Sequence, residues 1–105
     1  RLHADWDGTT VALTAERLVD KALPEARQVA LSDGDPQDWP AQWASDTIRA
    51  SKPAFEGLVY AAGPEKHTWN VNVPPNYSRT RQDLQRTQII KAGARLAQIL
   101  MTIWP

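Results

Sequence analysis

Apolar residues recur along this chain at the spacing of amphipathic helices, most regularly in its last quarter. From about Ser78 or Thr80 to about Ile103, the apolar positions fall on one broad face of a helix. Residues three and four apart lie on the same face of an α-helix, so this pattern predicts a long terminal helix. Its remaining surface is expected to be a solvated basic face that carries Arg79, Arg81, Arg86, Lys91 and Arg95.

A second apolar stripe predicts a helix from Pro36 or Asp38 to Ala62. Pro53 lies inside this stretch. A proline removes one backbone hydrogen bond and clashes with the carbonyl four residues earlier, so we expect a kink just before it. Two helices that meet at Ser51–Lys52 are the alternative. With the terminal helix, this long kinked helix predicts an all-α fold.

Prolines and cap residues divide the other segments. Thr14 resembles the N-cap of a helix that Pro24 interrupts, and a second short helix is expected from Pro24 to about Leu31. Residues 65–76 contain too many β-branched residues and prolines for a helix. They are expected to form an ordered loop with a short extended piece at Trp69–Val73.

Composition narrows the class of protein. The 105 residues contain no cysteine, which excludes disulfides and thiolate metal sites, and 42% of them are hydrophobic, as in ordinary globular proteins. The net charge is zero, but residues 1–46 carry four basic and nine acidic side chains, and residues 47–105 carry eight and three. Attraction between the two halves explains this better than a nucleic-acid patch. No stretch approaches the roughly 20 apolar residues of a membrane span, so no membrane partner is expected.

Candidate chemistry lies at the start of the chain, in the sequence LHADWDG at residues 2–8. In a helix, His3 and Asp7 are one turn apart on one face, so an imidazole nitrogen and a carboxylate oxygen can converge on one cation. Asp5 points elsewhere. The alternative reading of this HxxxD pattern is a solvated helical turn. His67, the other histidine, lies in the predicted loop and is interpreted as a surface residue.

Three motifs follow one another in an informative order: LHADWDG at residues 2–8, WASDTI at 43–48 and KAGARLAQIL at 91–100. A proline-rich loop precedes the last of them. Together they resemble the C-terminal part of the S1/P1 nuclease family, whose fold is shared with zinc-dependent phospholipase C. The resemblance spans nearly the whole chain. It departs at Arg1 and Met101, where the family often has asparagine.

The resemblance implies that residues 1–105 are one helical segment, the C-terminal part of a larger single-domain nuclease with a phospholipase C/P1 nuclease-like bundle. The full protein would be a zinc-dependent endonuclease that hydrolyses phosphodiester bonds in single-stranded DNA and RNA and in 3′-nucleotides. His3 and Asp7 correspond to ligands of one ion in a three-zinc cluster. The family's other ligands lie upstream and have no counterpart here. The isolated segment is therefore expected to bind zinc weakly and to be inactive.

The same resemblance sets expectations about partners and location. Single-stranded nucleic acid and the upstream part of the same protein are the expected partners, and a secreted or periplasmic location is expected because family members are typically exported. Two alternatives stay open. One is a non-catalytic helical interaction module, with the HxxxD pattern incidental. The other is a zinc phospholipase C-like lipid hydrolase, which calls for an exposed apolar rim near the metal that the sequence does not reveal.

Overall fold

The computed structural model describes residues 2–8 and 15–105, and the chain is mostly helical, at 62%. The described residues form four α-helices and one two-stranded antiparallel sheet. The helices are α1 (Leu2–Asp7), α2 (Ala15–Ala26), α3 (Trp39–Ala50) and α4 (Tyr77–Ile103), and the strands are β1 (Val59–Ala62) and β2 (Trp69–Asn72). The prediction of a broadly helical protein is confirmed, whereas the sheet departs from the predicted all-α architecture. Thr14 lies outside the described residues.

The terminal helix agrees closely with its prediction, but the long kinked helix does not form. Helix α3 ends at Ala50, and Ser51 still donates its backbone N–H to Thr47 O at 2.9 Å. Pro53 then lies in a short 3₁₀ turn over Lys52–Ala54. The proline has no N–H for a continuing helix, and the β-branched and aromatic residues that follow favour an extended chain. The alternative of a break at Ser51–Lys52 is nearer to the structure.

The strand β1 lies where the sequence predicted the end of that helix. It pairs with β2, with Tyr60 opposite Val71, and the extended piece predicted near Trp69 is β2 itself. A glycine is required at position 57 just before the sheet. Its φ is +72°, and a Cβ there would lie 2.7 Å from Cγ of Pro74.

Helix α2 runs through Pro24 without interruption, contrary to the prediction of a break and a second helix to Leu31. The proline lies near the C-terminal end of α2, so it removes a hydrogen bond only from the last turns. The helical hydrogen bonding continues beyond Pro24, because Arg27 donates its backbone N–H to Leu23 O at 3.0 Å. Packing against α4 supports this helix, and Ala22 is buried.

The buried core of the described residues is small. It contains Ala22, Trp39, Ala54, Tyr77 and Ile90. The radius of gyration is 17.0 Å and the molecule measures 57 × 31 × 20 Å, whereas a compact chain of this length would have a radius of about 13 Å. The shape is therefore elongated, and much apolar surface is open. Across the described ranges, no helix combines the length and the apolarity needed to cross a membrane.

Candidate metal centre

The predicted His–Asp pair lies on α1, the first helical turn and a half of the chain. His3 Nε2 lies 2.9 Å from Asp7 Oδ2, and the two side chains are 90% and 67% exposed. The helix closes with a hydrogen bond from Gly8 N–H to Ala4 O at 2.8 Å. Asp5 faces away from the pair, as predicted, and lies 3.7 Å from Arg81 Nη1.

The donor atoms of this pair fit a zinc site. Two ligands of a tetrahedral zinc, each about 2.1 Å from the ion, are separated by about 3.4 Å. The observed separation of 2.9 Å between His3 Nε2 and Asp7 Oδ2 is shorter by roughly half an ångström, a difference that small side-chain rotations can supply. Imidazole nitrogen and carboxylate oxygen are both ordinary zinc ligands. In the described residues, no group of three or more His, Cys, Asp or Glu side chains is arranged to hold a metal.

Trp6 anchors the ligand-bearing helix to the rest of the molecule. Its indole Nε1–H donates to the Tyr77 hydroxyl at 2.9 Å, and that hydroxyl donates in turn to Ala54 O at 3.1 Å. The two rings meet edge to face, with centroids 6.4 Å apart. Tyr77 is buried, so this relay ties α1 to the start of α4 and to the 3₁₀ turn after α3.

A second anchor acts on the backbone of α1. Gln85, in α4, donates its side-chain amide to Trp6 O at 2.8 Å and to Asp5 O at 3.3 Å. Among the residues that the structure describes, Gln85 is the one polar residue that is buried, with 7% of its surface exposed. No motif in the sequence pointed to Gln85, Tyr77 or Arg81 as site residues. The signal that the sequence offered was their four-residue spacing along α4, which places them on one face of the helix.

An apolar cavity of about 600 Å³ adjoins the pair. His3 lies at its wall, together with Leu2, Trp6, Phe55, Leu84 and Ile89. The apolar surface next to the candidate ligands was not evident from the sequence. Gln88 also lines the cavity, and its buried Nε2 has no hydrogen-bond partner among the described residues.

The basic residues of α4 are largely paired with carboxylates from the first half of the chain, which corrects the prediction of a solvated face. Lys91 Nζ lies 3.0 Å and Arg95 Nη2 2.7 Å from Asp46. Arg86 binds Glu25 with two hydrogen bonds of 2.5 and 2.6 Å. These pairs agree with the favoured explanation of the uneven charge, attraction between the two halves.

These contacts also change proton affinities. Hydrogen bonds from Arg95 and Lys91 hold the pKa of Asp46 below its ordinary value. The hydrogen bonds from Arg86 lower the pKa of Glu25, and the same contact raises the pKa of Arg86.

Arg95 also lies over the ring of Trp43, 5.8 Å from its centroid. The charged cluster therefore joins α3 to α4.

His67 does not join the candidate site. It lies in the turn between β1 and β2, is exposed, and adopts a left-handed backbone conformation with φ of 67°. The interpretation of His67 as a surface residue agrees with this position.

Comparison of the chain with protein-family models, curated proteins and solved structures finds no match.

Proposed function

We propose that this chain is part of a zinc-dependent nuclease of the S1/P1 type, with a phospholipase C/P1 nuclease-like bundle. Its function is phosphodiester hydrolysis in single-stranded DNA and RNA and in 3′-nucleotides. His3 and Asp7 supply two ligands to one ion of a three-zinc cluster, and the remaining ligands come from polypeptide outside these 105 residues. The proposed setting is secreted or periplasmic.

The 2.9 Å separation of His3 Nε2 and Asp7 Oδ2 carries this proposal. The contact brings together the two residues that match the family's ligands, through the atoms that would bind the ion. An exposed i,i+4 ion pair is the alternative explanation of the same contact. The resemblance of the three motifs favours the metal site.

The surface of the chain supports a role for additional polypeptide. The accessible surface is 8252 Å², whereas a compact monomer of this mass exposes about 5,900 Å². The excess includes large apolar side chains such as Phe55, which is 66% exposed beside the cavity. Gln88 holds a buried donor there that an acceptor from a further segment would satisfy. This cavity is the expected contact with the upstream part of the protein.

The chemistry assigns distinct tasks to the two ligands. Bound zinc supplies a Lewis acid that lowers the pKa of water and stabilises negative charge on the phosphoryl oxygens. His3 offers the lone pair of Nε2, which requires the neutral imidazole with its proton on Nδ1. Asp7 offers a carboxylate oxygen, and its negative charge offsets part of the positive charge of the zinc ion. Neither residue serves as the acid or the base of the reaction.

Zinc titration of the 105-residue chain tests the site directly. We expect weak binding of one ion by calorimetry, which His3→Ala and Asp7→Asn each abolish. His67→Ala is the matched control, because it removes the other histidine, and should leave binding unchanged. Binding that survives His3→Ala but disappears in His67→Ala would show that the ligands are misassigned. Absence of any zinc binding would favour a non-catalytic helical interaction module.

Activity is tested in the longer protein that carries the other ligands. We expect zinc-dependent cleavage of single-stranded DNA that His3→Ala reduces by several orders of magnitude, and no cleavage by the 105-residue chain alone. Robust cleavage by the short chain would contradict the proposed division of ligands.

A second candidate function is lipid hydrolysis by related zinc chemistry. The apolar cavity with His3 in its wall favours it, because a lipid substrate calls for apolar surface beside the metal. Parallel assays of the longer protein with phosphatidylcholine vesicles and with single-stranded DNA discriminate the two. Preferential turnover of the lipid would replace the nuclease proposal.

A further inference from the structure

The candidate zinc site depends on a very short helix. His3 and Asp7 approach each other because residues four apart are neighbours on a helical surface, with Cβ atoms about 5–6 Å apart. In an extended chain, the same two residues would be roughly 13 Å apart. Helix α1 has six residues, and isolated helices of that length are not stable in water. The rest of the molecule must therefore hold α1 helical.

The hydrogen bonds of the carbonyls in the last turn of α1 show one way in which the molecule holds this helix. Gly8 N–H satisfies Ala4 O, and the next two carbonyls along the chain belong to Asp5 and Trp6. A helix end leaves such carbonyls without intrahelical partners. The amide of Gln85 donates to both, and a primary amide has two N–H groups available for this purpose.

Gln85 differs from the other α4 residues that contact α1. Tyr77 and Arg81 lie on the same face at four-residue intervals, but they contact the side chains of Trp6 and Asp5. Those contacts locate the helix without determining its backbone conformation. Gln85 bonds the backbone itself, between the two ligand positions and in the turn that ends at Asp7.

We infer that Gln85 is a positioning residue for the zinc ligands: its amide keeps the last turn of α1 helical and so holds His3 and Asp7 one turn apart. The inference rests on the proposed function for the meaning of the pair. The hold on the helical turn is a property of the chain that can be measured without zinc.

The test compares Gln85→Met with Gln98→Met in the 105-residue chain. Methionine keeps the length and volume of the side chain and removes the amide. Gln98 is a matched control, because it also lies on α4 and bonds a distant backbone, at Ser32 N and Ser32 O. Two quantities are measured, the hydrogen-exchange rate of the Gly8 amide without metal and the affinity for zinc alone.

In Gln85→Met, we expect the Gly8 amide to exchange about tenfold faster and zinc to bind at least about tenfold more weakly. Gln98→Met should leave both quantities unchanged, although it should lower the unfolding midpoint in urea. A purely structural role of Gln85 would likewise lower only that midpoint in Gln85→Met. If Gln85→Met loses its helical circular dichroism, Gln85→Asn replaces it, since a side chain one methylene shorter cannot reach both carbonyls.

Different results overturn different claims. Equal effects of the Gln85 and Gln98 variants on Gly8 exchange, or none from Gln85, would refute the positioning role. Faster Gly8 exchange in the Gln85 variant, with no zinc binding by the unmodified chain, would refute the proposed metal site and leave the hold on α1 standing.

Discussion

The two halves of helix α4 hold α1 and α3 by different means. Its first half, residues 77–90, binds α1 mainly through Tyr77 and Gln85, which are buried and neutral, and the longer Arg81–Asp5 ion pair adds to them. Its second half, residues 91–103, binds α3 through Lys91 and Arg95, which share one carboxylate of Asp46. Neutral directional contacts keep their strength when pH or salt changes, and ion pairs do not. The turn that carries the candidate ligands is thus attached mainly by contacts that are less sensitive to pH and salt.

Tyr77→Ala tests the first half and should have the largest effect on stability. It removes a buried ring and leaves the Trp6 indole N–H and Ala54 O without their partner, so we expect a loss of about 3–5 kcal/mol in the free energy of unfolding in urea. Tyr60→Ala is the control, because that ring is 54% exposed, and should cost far less. Equal losses would mean that the relay contributes nothing to stability.

Asp46→Asn tests the second half, with an intermediate effect. Removing the charge shared by Lys91 and Arg95 should lower the free energy of unfolding by about 1–2 kcal/mol at pH 7. Because the pKa of Asp46 is lowered in the folded chain, this contribution is complete above its ordinary pKa of 3.8. It is lost as the pH falls through the lowered value.

The measurement for Asp46 is a series of urea unfolding curves at pH values from 7 down to 2, with the exposed Asp20→Asn variant as control. Wild type and Asp46→Asn should converge in acid, while Asp20→Asn stays close to wild type throughout. A constant difference between wild type and Asp46→Asn over this range would contradict the charged basis of the contact.

Glu25→Gln should have the smallest effect of the three. Its partner Arg86 is 39% exposed and Glu25 is 52% exposed, so water screens the pair in spite of its good geometry. The loss of stability should be smaller than that of Asp46→Asn and should vanish in 1 M salt. A loss that persists in salt would show that the pair acts through packing instead of charge.

Local patterns predicted those features whose geometry depends on residues close in the chain, although α1 needs contacts with α4 to stay helical. The periodicity of the last quarter indicated α4 almost to its ends, and the four-residue spacing of His3 and Asp7 predicted their contact on α1. Both depend on residues that are close in the chain. The zinc function attached to that contact stays a proposal.

Other elements depended on partners that are distant in the chain. Strand β1 was predicted as helix because its apolar residues continue the stripe of α3, whereas in the structure it is extended and paired with β2. Helix α2 passes through Pro24 because the proline lies near its C-terminal end and the helix packs on α4. Gln85 looked like one more polar residue of a helix, since its acceptors at Asp5 and Trp6 lie 80 and 79 positions away.

By itself, the sequence determined where helices form at the two ends of the chain and that His3 and Asp7 lie one turn apart on one face. The tertiary structure decided that α4 serves as the support for both α1 and α3. It also decided that most basic residues of α4 pair with carboxylates from the first half of the chain. Helical periodicity follows from chain geometry within a few residues, whereas burial and pairing depend on which distant surfaces meet.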